Sequence, residues 1–161
     1  MIYQTDKRLP AALQKYGCAF TALAWYREKC QGKPWSAEEL GAAWTGAIAA
    51  GLISGDVNHD GDLDDPGEAT IQDWGAVAQF LGLRLQYLGK FHPGAKEAQG
   101  AFVVSAWTNP RTGFTHFVTG DSRPVLFDPI EGGSITVRDG YLKPATTADQ
   151  AGALRVFRSL P

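Results

Sequence analysis

What most constrains this chain is a change of hydrophobic period half-way along it. Up to about residue 82 the apolar residues recur at helical spacing. Beyond that point they alternate, or run in short blocks bounded by Gly, Pro and Asn. Helices first and an antiparallel sheet second specify an α+β fold. With 161 residues, 44% of them apolar, the chain suits a single domain over 1–161 with one hydrophobic core.

The helical half has chemical punctuation. Residues 18–29 contain neither Gly nor Pro, and Gly17 and Gly32 bound them. Their density of apolar side chains predicts a central, buried helix. Ser36 followed by Glu39 is a capping box, opening a helix that runs to about residue 50, where Gly51 closes it. A third helix is expected from near Thr70, with Ile71, Trp74, Val77, Ala78 and Leu81 at helical spacing and Gly82 as its stop. Strands are expected at 83–88, 101–107, 116–119, 125–127, 134–137 and 153–157, with turns at 109–113, at 120–124 and at Gly132-Gly133.

Several function classes fall away. A net charge of −2, with no cluster of Lys and Arg interleaved with aromatics, offers nucleic acid no grip. The most apolar stretch, 41–53, is broken by Gly, Thr and Trp and is too short to span a bilayer. The opening residues carry no basic region followed by an apolar run, so a cytoplasmic, monomeric protein is the expectation. On one helix Cys18 and Cys30 would lie about 18 Å apart, too far to bridge, so both are expected as free thiols.

One of those thiols has the setting of a nucleophile. Cys18 stands at the first turn of the predicted buried helix, where the helix dipole favours a thiolate. A free cysteine is also a common small core residue, so a base is the next requirement. Of the three histidines, His59 lies in an acidic loop and His92 beside Pro93, whereas His116 opens an apolar strand. Asp128 follows twelve residues later, at the end of the next strand. Neighbouring antiparallel strands would set the two side by side. Asp128 would then accept one ring N–H, fix the tautomer and support an imidazolium. Taken singly, His116 also reads as a strand histidine and Asp128 as an Asp-Pro turn former.

These residues carry a resemblance. Gln4, then Gly17-Cys18-Ala19-Phe20-Thr21, later Thr115-His116-Phe117-Val118, and finally Phe127-Asp128-Pro129 before Gly132-Gly133 resemble the papain-like cysteine peptidase superfamily. Within it they look most like stand-alone relatives of the bacteriocin-processing, double-glycine-leader peptidases. The likeness spans about residues 3–133. It implies a helical lobe carrying the nucleophile helix, packed on a C-terminal antiparallel sheet. It also implies a peptidase or amidase acting on a peptide or protein through a thioester acyl-enzyme, with Cys18, His116 and Asp128 as a triad. An upstream Gln would hold the oxyanion. Gln4 fits this better than Gln14, because an extended segment can lay its side chain across the cleft. Two alternatives stay open: a transglutaminase-type acyltransferase, and a catalytically inactive, peptide-binding version of the fold.

The acidic loop at 55–68 resembles an EF-hand or dockerin calcium loop. Asp56, Asn58, Asp60, Asp62 and Glu68 offer hard oxygens, Gly61 stands at the sharp turn, and Leu63 is where such loops pin to a core. A structural Ca²⁺ is the expectation, against a solvated acidic loop. The pattern departs at its end: Gly67 holds the place of the final acid, Glu68 comes one residue late, and Pro66 stiffens the approach. Of the five tryptophans, Trp25, Trp44 and Trp74 are expected in the core, and Trp107 is expected to wall the substrate cleft.

Overall fold

The computed structural model describes residues 2–63, 67–108, 115–121, 125–130, 135–138, 141–144 and 150–161; of the side chains at 135–138, 141–144, 150 and 151 only the backbone is used. It is a mixed helix-and-sheet protein. Helices α1 (Ala11–Tyr16), α2 (Cys18–Gln31), α3 (Ala37–Ala49) and α4 (Trp74–Phe80) precede the strands. A five-stranded antiparallel sheet follows, built from β1 (Leu85–Phe91), β2 (Phe102–Thr108), β3 (Thr115–Gly120), β4 (Val125–Phe127) and β7 (Gln150–Ser159) in the order β1-β7-β2-β3-β4. Strands β5 (Ile135–Arg138) and β6 (Tyr141–Pro144) form a separate antiparallel pair. The expected turns at 109–113 and at Gly132-Gly133 lie wholly, and that at 120–124 largely, outside the described residues.

Helix α2 begins at Cys18 and ends on Gly32, which takes the left-handed conformation at φ 64°. Its buried side chains include Phe20, Leu23 and Tyr26. The Tyr26 hydroxyl donates to the Val103 carbonyl and accepts the Val103 N–H, both at 2.8 Å, which ties the helix to β2. The Thr119 hydroxyl donates to the Ala22 carbonyl and ties it to β3. Helix α3 opens on the expected capping box: Ser36 Oγ accepts the Glu39 N–H and the Glu39 carboxylate accepts the Ser36 N–H, each at 3.0 Å. Trp44 on α3 packs edge-on against Phe20 in the shared core.

Two elements depart from the sequence pattern. Helix α4 starts at Trp74, not near Thr70, because Asp73 caps it by accepting the Ala76 N–H at 2.9 Å. Ile71 is drawn into a backbone bridge with Ile53 instead. Strand β7 runs well beyond the expected 153–157 and lies inside the sheet, between β1 and β2. Helix α1 had no counterpart in the sequence pattern. No helix among the described residues is long and apolar enough to cross a membrane.

Candidate active site

Gly17 makes the junction that sets Cys18 in place. Its N–H donates to the Leu13 carbonyl at 2.9 Å, continuing α1, while its own carbonyl accepts the Thr21 N–H at 2.8 Å, starting α2. A Cβ at position 17 would lie 2.1 Å from Leu13 Cδ1 and 2.5 Å from the Leu13 carbonyl oxygen, so only glycine fits. Cys18 therefore occupies the first position of a buried helix, with 7% of its surface exposed and its thiol unbridged. Cys30, a free thiol near the far end of the same helix, is exposed.

Strands β3 and β4 pair antiparallel, with Thr119 opposite Phe127. That pairing brings His116 at the start of β3 to Asp128 just past β4. His116 Nε2 donates to Asp128 Oδ1 at 2.7 Å. The same oxygen accepts the Ile130 N–H at 2.9 Å, which fixes the carboxylate against its own turn. With Nε2 committed, the other ring nitrogen, Nδ1, is shut from water and has no hydrogen-bond partner among the described residues. His116 is 3% exposed. Burial alone pushes its imidazolium down, but the hydrogen bond and charge of Asp128, together with the adjacent Cys18, outweigh burial and lift its pKa to about 9. Sulfur, imidazole and carboxylate thus form one interacting group.

The N-terminal segment closes over this group. The Gln4 N–H donates to the Pro129 carbonyl at 2.7 Å. Its buried side chain reaches the other way, with Nε2 donating to the Gln14 carbonyl at 2.9 Å. The Gln14 side chain turns back on α1 itself, donating to the Leu9 carbonyl at 2.7 Å.

A cleft of about 590 Å³ opens on Cys18, walled by Trp74, Tyr87, Thr115 and Phe117, with Glu68 and Arg155 also lining it. The expectations for two tryptophans are corrected here. Trp107 packs with Val118 and Val125, directly opposite His116 in the β2–β3 register, and is absent from the cleft lining. Trp74 is only partly buried and serves as a cleft wall. Sequence reasoning missed Tyr87, Phe117 and Arg155; alternation along β3 sets Phe117 on the face opposite His116, so no local signal marked it as a wall.

The acidic loop folds on itself. Asp56 Oδ1 and Asn58 Oδ1 accept the Asp60 N–H at 3.2 and 3.0 Å, and Asp56 Oδ2 accepts the Gly61 N–H at 2.9 Å. Asp60 Oδ1 accepts the Asp62 N–H at 3.1 Å, and Glu68 Oε1 accepts the Val57 N–H at 2.7 Å. Among the described residues no three carboxylate, His or Cys groups converge as a ready metal cage.

No family model, curated protein or solved structure matches this chain. What it does is therefore read from the residues of the site themselves.

Proposed function

We propose that the chain is a papain-like cysteine peptidase or amidase, in which Cys18 attacks an amide carbonyl of a peptide or protein. One observation carries this reading: a helix-start thiol opens on a cleft and acts on the His116 imidazole, which a carboxylate holds by its other nitrogen. Asp128 holds the His116 Nε2–H, which leaves Nδ1 to take the thiol proton. The resulting thiolate forms a bond to the carbonyl carbon, and the carbonyl electrons move to oxygen. The Cys18 N–H and the Gln4 amide are the proposed donors to that oxyanion; the Gln14 carbonyl holds one Gln4 N–H and leaves the second, whereas the Gln14 amide turns back to the Leu9 carbonyl. Collapse breaks the C–N bond as His116 gives its proton to the leaving amine. Water, activated by His116, then releases the acyl group from sulfur. A calcium ion in the 55–68 loop belongs to the same proposal as a structural element, supported by the inward-turned Asp56, Asn58 and Asp60.

The test is the relative alkylation of the two thiols. Iodoacetamide at pH 7 is expected to modify Cys18 at least tenfold faster than Cys30 although Cys30 is the exposed one, and His116→Ala is expected to erase that excess. Equal, sluggish reaction of both thiols would overturn the hydrolase reading and leave a peptide-binding fold. Release of free amine from a peptide library, against incorporation of an amine label, separates hydrolysis from acyl transfer.

A further inference from the structure

The cleft beside Cys18 contains a cation that no carboxylate among the described residues answers. Arg155 lies on β7 within the sheet, and its guanidinium carbon stands 5.4 Å from the Trp74 ring centre and 5.1 Å from that of Phe117. Nη1 donates to the Ala153 carbonyl at 3.0 Å, whereas Nε is shut from water with no hydrogen-bond partner. Among the described residues no carboxylate pairs with Arg155. Glu68 is the acidic side chain in the cleft wall, and its Oε1 is held by the Val57 N–H. Lys15 and Lys90 add two further positive charges to the lining. Burial pushes the guanidinium pKa down, as expected where a cation is desolvated without a counter-charge.

A half-buried cation without a carboxylate destabilises the free protein, and a ligand that brings the carboxylate removes that cost. The guanidinium fork matches a carboxylate with two parallel hydrogen bonds, and stacking on Trp74 and Phe117 holds it oriented. The surrounding rings suit an apolar side chain. We propose that Arg155 anchors a substrate carboxylate, so that the cleft takes peptides with an apolar or aromatic residue next to an acidic side chain or a free C-terminus. This rests on the reading of Cys18 as nucleophile for its place in catalysis, though not for binding.

Bromoacetyl-phenylalanine and bromoacetyl-Phe-Glu amide supply the two carboxylate sources; bromoacetyl-Phe amide and bromoacetyl-Phe-Gln amide are their neutral counterparts. Mass spectrometry follows alkylation of Cys18. At least one acidic probe should react roughly tenfold faster than its neutral counterpart, the size of one charge-assisted hydrogen bond, and which one does so identifies the source. Arg155→Gln should bring the ratio near one, each probe's rate being normalised to plain iodoacetamide labelling of Cys18 in the same variant. Arg155→Lys, with charge but no fork, should keep part of the preference, and it serves if the Gln variant fails to fold. Rapid labelling of Cys18 with acidic and neutral probes equal would overturn the anchor and leave the nucleophile standing. A preference that survives both Arg155 variants but is lost in Lys90→Gln or Lys15→Gln would overturn the assignment to Arg155. If Cys18 proves unreactive, calorimetry with acetyl-Phe-Glu amide against acetyl-Phe-Gln amide decides separately: tighter binding of the acidic peptide supports the anchor, and equal affinity overturns it.

Discussion

Replacing Asp128 by Asn keeps the side chain's shape and its Oδ1 acceptor but removes its charge. In the folded chain burial works against the His116 imidazolium, and the hydrogen bond and charge of Asp128, with Cys18, reverse that and lift the pKa from 6.5 to about 9. A lift of that size is worth roughly 3 kcal/mol in favour of the charged ring. The folded value lies above the unfolded one. This stabilisation is therefore complete below about pH 6.5 and is lost as pH rises through about 9. In Asp128→Asn, burial is opposed only by Cys18 and by a hydrogen bond to a neutral oxygen, so the folded pKa must fall. The His116 ring resonance, assigned by its loss in His116→Ala, is followed by NMR from pH 5 to 10.5. The expected midpoint is near 9 in the unmodified chain and lower by at least about one unit in the Asn variant. Urea unfolding should show a deficit of about 2 kcal/mol for the variant at pH 6 that shrinks toward pH 10. Equal midpoints in the two proteins would refute the account of how this imidazole is charged.

Gly17→Ala drives a methyl group into Leu13, so a loss of about 2 kcal/mol or more is expected in urea unfolding, with slower alkylation of Cys18. Gln4→Ala should cut peptide hydrolysis by roughly a hundredfold or more through loss of the oxyanion donor. It should slow iodoacetamide alkylation, which forms no oxyanion, far less than hydrolysis; equal losses in both assays would reduce Gln4 to a structural tie. Millimolar Ca²⁺ should raise the thermal midpoint by several degrees and Asp56→Ala should abolish the rise, whereas no response would leave a solvated loop.

What the sequence displayed and what it hid divide along physical lines. Helix ends were legible because short-range chemistry sets them: Gly17 and Gly32 around α2, and the Ser36–Glu39 box before α3. The His116–Asp128 pair was legible because β3 and β4 follow one another and pair directly, so spacing in the chain becomes proximity in space. The start of α4 was misread because a long-range partner decided it, Ile53 claiming Ile71 and leaving Asp73 as the cap. The cleft wall was illegible for the same reason. Arg155 meets Trp74 and Phe117 only because the last strand inserts between β1 and β2, a placement with no local signature.

The halves of the site come from distant stretches of chain, and Gln4 joins them. Its backbone N–H holds the Pro129 carbonyl, one residue past Asp128, and its side-chain amide holds the Gln14 carbonyl, four residues ahead of Cys18. One buried residue therefore fixes the acid-bearing corner of the sheet relative to the thiol-bearing helix. Misplacement of reacting groups by about 1 Å can cost a hundredfold in rate, so such a tie matters wherever chemistry is done. A chain that needed Gln4 for stability alone would have no reason to leave its Oε1 buried without a partner. That cost, in the residue that ties the Asp128 corner to the helix just ahead of Cys18, fits the reactive site proposed above.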